Sequence, residues 1–167
     1  MVTEFVVGAR SHESNPLAEN LLVATWDLGM MVNTGRQSAF GGALFAGVNG
    51  GGTRLGVKAR YRRWLTRTVA LDLSPGVLLA GSTSSGLAQF RSPGFTGHVG
   101  FTWKDWVGAT VQFEAVRFAD AATGTSGSDA SLASGIRFGS YPGVVTGAAA
   151  LGVVILYVII AASAGIT

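Results

Sequence analysis

The feature that most constrains this fold is the alternation in GFTGHVGFTWKDWVGATVQFEAVRF, residues 94–118. Apolar side chains occupy almost every second position on both sides of Lys104 and Asp105. Successive side chains of a strand point to opposite faces of a sheet, so this spacing predicts a β-hairpin with one apolar face. The alternation does not say whether that face meets lipid or a protein core.

The same pattern recurs along the chain, between segments with turn chemistry. Turn signals are NTGR at 33–36, NGGG at 49–52 and the polar, glycine-rich ADAATGTSGSD at 119–129. We therefore predict a mainly β fold, an antiparallel meander of seven to eight strands that forms a sandwich or a small barrel. The predicted strands cover residues 21–32, 39–48, 53–65, 68–80, 95–103, 107–118 and 131–138, with a short one at 4–7.

Composition agrees with a β-rich or membrane protein. The 167 residues include 25 glycines but only 4 prolines, and 48% are hydrophobic. Helical bundles rarely carry so much glycine, and disordered chains are less apolar. The absence of cysteine excludes disulfides and thiolate chemistry.

Residue parity predicts how the strands pair, because directly opposed residues share a face of the sheet. If the loop at NGGG has two or four residues, the even-numbered apolar residues of the strand before it share a face with the odd-numbered apolar residues of the strand after it. Across Lys104 and Asp105 the apolar positions are odd on both sides, which requires a loop of three or five residues, and Gly108 is compatible with five. The matched sets at NGGG are Phe40, Leu44 and Val48 with Leu55, Val57, Ala59 and Tyr61.

A second strong signal is the uncharged segment GVVTGAAALGVVILYVIIAASAGIT, residues 143–167. As a helix, residues 144–166 would extend roughly 34 Å, enough to cross a bilayer. We therefore predict two units, an antiparallel β domain at 1–140 and a C-terminal transmembrane helix at 141–167. Small residues in this segment have spacings that let membrane helices pack closely, although an ordinary alanine-rich anchor has them too. These predicted helix-packing residues are Gly143, Gly147, Ala148, Gly152, Ala161 and Gly165.

The flanking charges predict a topology. Residues 1–16 have no basic region before their short apolar run, which argues against a secretory signal peptide. Arg137 precedes the apolar segment and nothing basic follows it, which favours a cytoplasmic N-terminal domain. The expected location is the bacterial inner membrane, with a single membrane crossing.

No motif indicates catalysis. His12 and His98 are the only histidines, and no zinc spacing connects them. His98 falls among hydroxyl-bearing residues that could satisfy it without a catalytic role. The segment GVNGGGTRLG lacks the GK[ST] ending of a phosphate loop and leads into a strand. We expect no enzyme, no cofactor and no metal site.

Six of the twelve basic residues fall within residues 54–67. They are interleaved with Tyr61 and Trp64, and their strand face is predicted to be solvated. Anionic lipid headgroups or a membrane-protein partner are favoured over nucleic acid as its ligand. The predicted basic surface consists of Arg54, Lys58, Arg60, Arg62, Arg63 and Arg67.

Between about residues 21 and 140 the chain resembles bacterial outer-membrane β-barrel proteins. The resemblance rests on residues 94–118 and on RLGVKARYRRWLTRTVALDLSPGVLLAG, residues 54–81. Such barrels normally end in a strand with a terminal aromatic residue and lack a long apolar helix, unlike this chain. We therefore predict that the apolar face lines the interior of a soluble sandwich or small barrel and that the opposite polar face meets water. The alternative is an apolar face that meets lipid. The residues predicted to pack inside are Val99, Phe101, Val111 and Phe113.

Three functional hypotheses follow. The first is a non-enzymatic accessory subunit of a bacterial membrane complex, which contacts other subunits through its helix and β domain. A weaker resemblance is to small β-domain subunits of photosynthetic reaction-centre and antenna complexes. The alternatives are a barrel that binds a small apolar ligand or lipid, and an outer-membrane β-barrel protein.

Overall fold

The alternating segments form eight long strands. The computed structural model describes residues 2–12, 22–49, 52–82, 88–120, 126–139 and 145. The strands are β1 (Val2–His12), β2 (Leu22–Asn33), β3 (Ser38–Asn49), β4 (Gly52–Trp64), β5 (Val69–Gly81), β6 (Ala88–Trp103), β7 (Val107–Asp120) and β8 (Ser126–Gly139).

The eight strands pair in chain order and close into an antiparallel barrel. Closure comes from β1, which pairs with β2 on one edge and with β8 on the other, where Val7 lies opposite Ile136. The predicted antiparallel meander is confirmed, with eight strands, and a barrel is formed instead of a sandwich. Closure leaves no free sheet edge among these strands.

The pairing predicted from parity is confirmed. Phe40 lies opposite Tyr61, and Asn49 pairs with Gly52, so the β3–β4 junction has the shorter of the two expected loops. Trp103 pairs with Val107, which leaves a three-residue loop and excludes the five-residue version.

Lys104 and Asp105 have φ of 50° and 58° in this β6–β7 loop. Both therefore lie in the left-handed region that tight hairpin turns require. The Trp106 N–H donates to the Trp103 carbonyl oxygen at 3.1 Å and closes the turn.

The prediction of which face is buried is wrong. Val99, Phe101, Val111 and Phe113 lie on the outer surface, and their side chains are 47–53% exposed. The opposite face, expected to meet water, lines the interior. The reason is that this sheet closes with its polar face on the concave side, where charged side chains can neutralise one another.

The strand order distinguishes the two ends of the barrel. We call the turn end the one that carries the start of β1, the end of β8 and the connections 34–37, 65–68 and 104–106. We call the loop end the one that carries the other four junctions, between β1 and β2, β3 and β4, β5 and β6, and β7 and β8.

The predicted transmembrane helix at 141–167 lies outside the described residues, apart from Val145. Within the described part of the chain, no helix has the length and apolar character needed to cross a membrane. The predicted helix-packing positions also lie outside the described residues: Gly143, Gly147, Ala148, Gly152, Ala161 and Gly165.

Candidate functional site: the charged barrel interior

The most unusual feature of the fold is an interior lined with charged side chains. Six cations and four carboxylates are at most 7% exposed, a burial that charged residues tolerate only when paired. All come from inward positions of β1, β2, β4, β5, β7 and β8. They are Arg10, Arg54, Lys58, Arg60, Arg62 and Arg137, with Glu4, Asp27, Asp72 and Glu114.

Arg62 organises the interior near the turn end. Its Nε donates to Asp72 Oδ1 at 2.7 Å, and its Nη2 lies 3.1 Å from Glu4 Oε1. Its Nη1 donates to Asp105 Oδ1 at 2.6 Å. Since Asp105 lies in the β6–β7 turn, this guanidinium links the strand network to the rim of the barrel.

Arg137 and Arg60 complete this network. Arg137 Nη1 donates to Glu4 Oε2 at 3.3 Å, and its Nη2 contacts both Asp72 and the Thr102 hydroxyl. Arg60 Nη2 lies 2.5 Å from Glu4 Oε1. Three guanidinium groups therefore meet three carboxylates, those of Glu4, Asp72 and the rim residue Asp105, so the formal charges of this network balance.

The middle of the barrel contains a separate ion pair. Lys58 Nζ lies 3.0 Å from Asp27 Oδ1 and 4.2 Å from the centre of the Phe45 ring. The aromatic face provides a second favourable contact for the ammonium group. Phe45 also packs with Leu78 in a small apolar cluster, to which Val116 and Phe90 contribute.

The loop half of the interior is held by Arg54 and Glu114. Arg54 Nε donates to Glu114 Oε1 at 3.0 Å, and its Nη1 donates to the Ser82 carbonyl oxygen at 2.8 Å. Arg10 Nη2 lies 4.0 Å from the same Glu114 oxygen. Ion pairs thus fill both halves of the interior, with the apolar cluster nearer the loop end.

Glu4, Asp27 and His98 are the one set of potential metal ligands grouped together among the described residues. Their ligand atoms lie within 4.8 Å of one another. However, Asp27 is already paired with Lys58, and Glu4 is already paired with three arginines. A metal ion would therefore have to displace these cations. The expectation that hydroxyl groups satisfy His98 is not met, since neither ring nitrogen has a hydrogen-bond partner in the described structure.

The predicted basic surface divides into two groups. Arg54, Lys58, Arg60 and Arg62 are buried in the interior, so their assignment to an outer surface is wrong. They are buried because even positions of β4 face inward, where carboxylates from other strands meet them. Arg63 and Arg67 are exposed.

Sequence reasoning placed Asp72 and Glu114 on the same polar face as the cations but did not predict that carboxylates pair with these cations in an interior. Glu4, Asp27 and Glu114 come from three different strands, each two or three strands away from β4, so no single hairpin brings them to their cations. A local signal existed for Asp72, which lies directly opposite Arg62 in the β4–β5 pair. Opposite charges at facing positions of adjacent strands indicate a pair that can be buried together.

The outer surface is the reverse of the interior. Twenty large apolar side chains of the strands are at least 36% exposed and form what we call the apolar belt. Among described strand side chains, the charged ones that face outward are Arg63, Arg91 and Arg117, each towards a strand end. The belt consists of Leu22, Leu28, Met30, Val32, Phe40, Leu44, Val48, Leu55, Val57, Leu73, Leu79, Phe95, Val99, Phe101, Trp103, Val107, Val111, Phe113, Leu132 and Ile136.

Comparison with known proteins found no matching family model, no matching curated protein and no matching solved structure.

Proposed function

We propose that this protein is a membrane-spanning β-barrel of the outer-membrane type with a sealed interior and a structural, non-enzymatic role. The observation that carries the proposal is the inverted distribution of side chains. Large apolar residues cover the outside of the strands, and ion pairs fill the inside. Membrane barrels have this arrangement because lipid surrounds them, whereas soluble barrels have the reverse.

Exposure of the apolar belt to water would cost more free energy than a typical domain has in reserve. Full burial of a large apolar side chain is worth about 1.5–3 kcal/mol, so twenty partly exposed ones forgo on the order of 20 kcal/mol in water. A typical domain has a net stability of only about 5–15 kcal/mol. Lipid around the belt removes this loss.

The height of the belt fits a membrane. On β7 the outward apolar residues continue from Val107 through the belt to the smaller Ala115, with charged Arg117 as the next outward residue. Eight residue steps at about 3.4 Å extend about 27 Å along the strand. With a strand tilt of about 40°, this corresponds to about 21 Å across the membrane, near the ~25 Å apolar band of such barrels.

The ends of the barrel support an orientation. The start of β1, the end of β8 and three connections of at most four residues lie at the turn end. Outer-membrane barrels have short turns on the periplasmic side and longer loops outside, which favours a periplasmic turn end. Trp64, Trp103 and Trp106 also lie at the turn end, where aromatic side chains occupy the membrane interface. This proposal replaces the expected cytoplasm-facing domain on the inner membrane.

The ion pairs along the interior support a structural role over a diffusion channel. The interior of an eight-stranded barrel is just wide enough for side chains to fill it. Here ion pairs occupy it from Asp105 at the turn end to Arg54 near the loop end. The accessory-subunit hypothesis is compatible with such a barrel. Its proposed contact through residues 143–165 stays a prediction.

Eight strands are also the framework of barrels that enclose one small ligand. An apolar ligand needs an apolar cavity, but most of the buried side chains in the described interior are polar or charged. If the protein binds lipid, we therefore expect the binding surface to be the outside of the barrel. Apolar ligand retained by a detergent-washed, folded barrel would favour the enclosed-ligand alternative.

The test is folding of the full chain with and without lipid. After dilution from urea, we expect barrel formation in phospholipid vesicles, measured as β-sheet circular dichroism, protease resistance and altered gel migration of the unheated sample. In buffer alone we expect aggregation. A monodisperse, protease-resistant monomer in buffer without lipid would overturn the proposal.

A further inference from the structure

Two arginines of the outer surface face each other across β6 and β7. Arg91 and Arg117 are register partners, and both side chains are exposed. Directly opposed residues of an antiparallel pair have Cβ atoms about 4.5–5.5 Å apart, and like charges at such positions repel. No ion pair within the described part of the chain involves either arginine. Within these described residues, the repulsion between the two arginines is therefore not offset by a carboxylate.

The arginine pair lies at the loop-end edge of the apolar belt. On β7, Arg117 follows Ala115 as the next outward residue, so the pair lies just beyond the loop-end edge of the belt. On β6, the chain between Arg91 and Phe95 contains a register shift that still keeps Arg91 opposite Arg117. In a membrane-spanning barrel, this level coincides with the lipid headgroups.

An open groove surrounds the arginines. It is lined by both guanidinium side chains together with Phe118, Ser126 and Ser128, and its volume is about 660 Å³. Ser128 lies opposite Arg117 in the β7–β8 pair, so two cations and a hydroxyl form a row across three strands. Guanidinium groups bind phosphate with two parallel N–H···O bonds, and a hydroxyl can donate a further one.

We propose that Arg91 and Arg117, with Ser128, bind the phosphate of an anionic membrane-lipid headgroup. This inference rests on the proposed membrane barrel. One phosphate between the guanidinium groups would replace their mutual repulsion with two attractions. The lipid's acyl chains would continue down over Phe95 and the outer surface of β6 and β7. A lipid is the favoured source of phosphate because the groove adjoins this apolar surface.

The experiment is a double-mutant cycle of Arg91→Gln and Arg117→Gln in the full chain, folded in vesicles. Urea unfolding is measured in phosphatidylcholine, whose phosphate is neutralised by the choline cation of the same headgroup, and in an equal mixture with anionic phosphatidylglycerol. In phosphatidylcholine we expect either single change to raise the folding constant about two- to fivefold, since it removes the repulsion. In the anionic mixture we expect each to lower it, by about fivefold. The coupling between the two positions should therefore change sign with the lipid.

Arg63→Gln is the matched control. Arg63 also faces outward towards a strand end, but its register partners are Ser38 and Leu71. We expect no stabilisation from this change in phosphatidylcholine, and additivity with Arg117→Gln in both lipids. A general surface-charge effect would give Arg63→Gln and Arg117→Gln the same lipid dependence, without coupling between Arg91 and Arg117.

Three results would overturn the site. Coupling that is repulsive or zero in both lipids would exclude a shared phosphate. A sign change produced by inorganic phosphate in phosphatidylcholine vesicles would assign the site to free phosphate instead of a lipid. Failure of the unmodified chain to fold in either vesicle would reject the membrane barrel, and this site with it. That failure is recognised before any arginine is replaced.

Discussion

Replacing Val111 by arginine tests which medium surrounds the barrel. Val111 is 47% exposed on the outside of β7, opposite Val99 and midway between Val107 and Ala115. Val107 is a matched control, because it is the same residue type on the same strand and face, at the turn-end edge of the belt.

The expected difference follows from depth. Four residue steps correspond to about 14 Å along the strand and, at about 40° tilt, to about 10 Å across the membrane. Arginine on the lipid face costs about 2–4 kcal/mol at the midplane but about 0–1 kcal/mol near the interface. We therefore expect Val111→Arg to reduce the free energy of unfolding by about 2–3 kcal/mol more than Val107→Arg.

The assay is urea unfolding of the full chain in phosphatidylcholine vesicles, followed by tryptophan fluorescence. Val111→Leu provides the apolar control. In lipid it should have little effect, because leucine is at least as apolar as valine. If Val111 were in a packed core, this larger side chain would cost about 1–3 kcal/mol. Effects of both arginine variants within about 0.5 kcal/mol of zero would refute a lipid-facing belt, since that is the usual range for water-exposed surfaces.

Three further predictions concern the interior. Asp27→Leu should destabilise the barrel by about 3–5 kcal/mol because it leaves Lys58 buried without its carboxylate, and adding Lys58→Met should restore most of the loss. If urea unfolding shows the double variant to be as unstable as the single one, the pairing argument fails. Gly41→Ala should cost about 1–3 kcal/mol of stability, because its inward Cβ would overlap the Met30 carbonyl oxygen. In the control variant Gly42→Ala, the added Cβ has no contact closer than 3.6 Å. This variant should therefore unfold at nearly the same urea concentration as the unmodified chain. Vesicles that contain the barrel should retain a small neutral sugar, and rapid leakage in a swelling assay would contradict the sealed interior.

Much of the strand pairing could be predicted from sequence. Period-two alternation identified seven of the strands and a short part of β1. Parity placed Phe40 and Tyr61 on one face and limited the β6–β7 loop to three or five residues, of which three are present. These successes have one physical cause. A strand's side-chain period is fixed by its backbone, so facing positions must carry matched chemistry.

The candidate site was much less predictable. The basic positions of β4 were found, yet their carboxylate partners Glu4 and Glu114 are separated from Arg62 and Arg54 by 58 and 60 residues. No local pattern connects such residues, because their contact arises only when β1 and β8 pair and bring distant strands around a common interior. The closest sequence clue was Asp72, whose facing position on β5 follows from a single hairpin.

The alternation by itself determined that Val99, Phe101, Val111 and Phe113 share one face of an antiparallel sheet. Only the tertiary structure decided that this face is the outside. The side-chain period of a strand does not determine which face of the sheet becomes concave, because the period is the same in both cases. The choice depends on closure. Once β1 pairs with β8, the concave face becomes a narrow space in which buried charges must find partners, and the convex face requires a medium that accepts its apolar side chains.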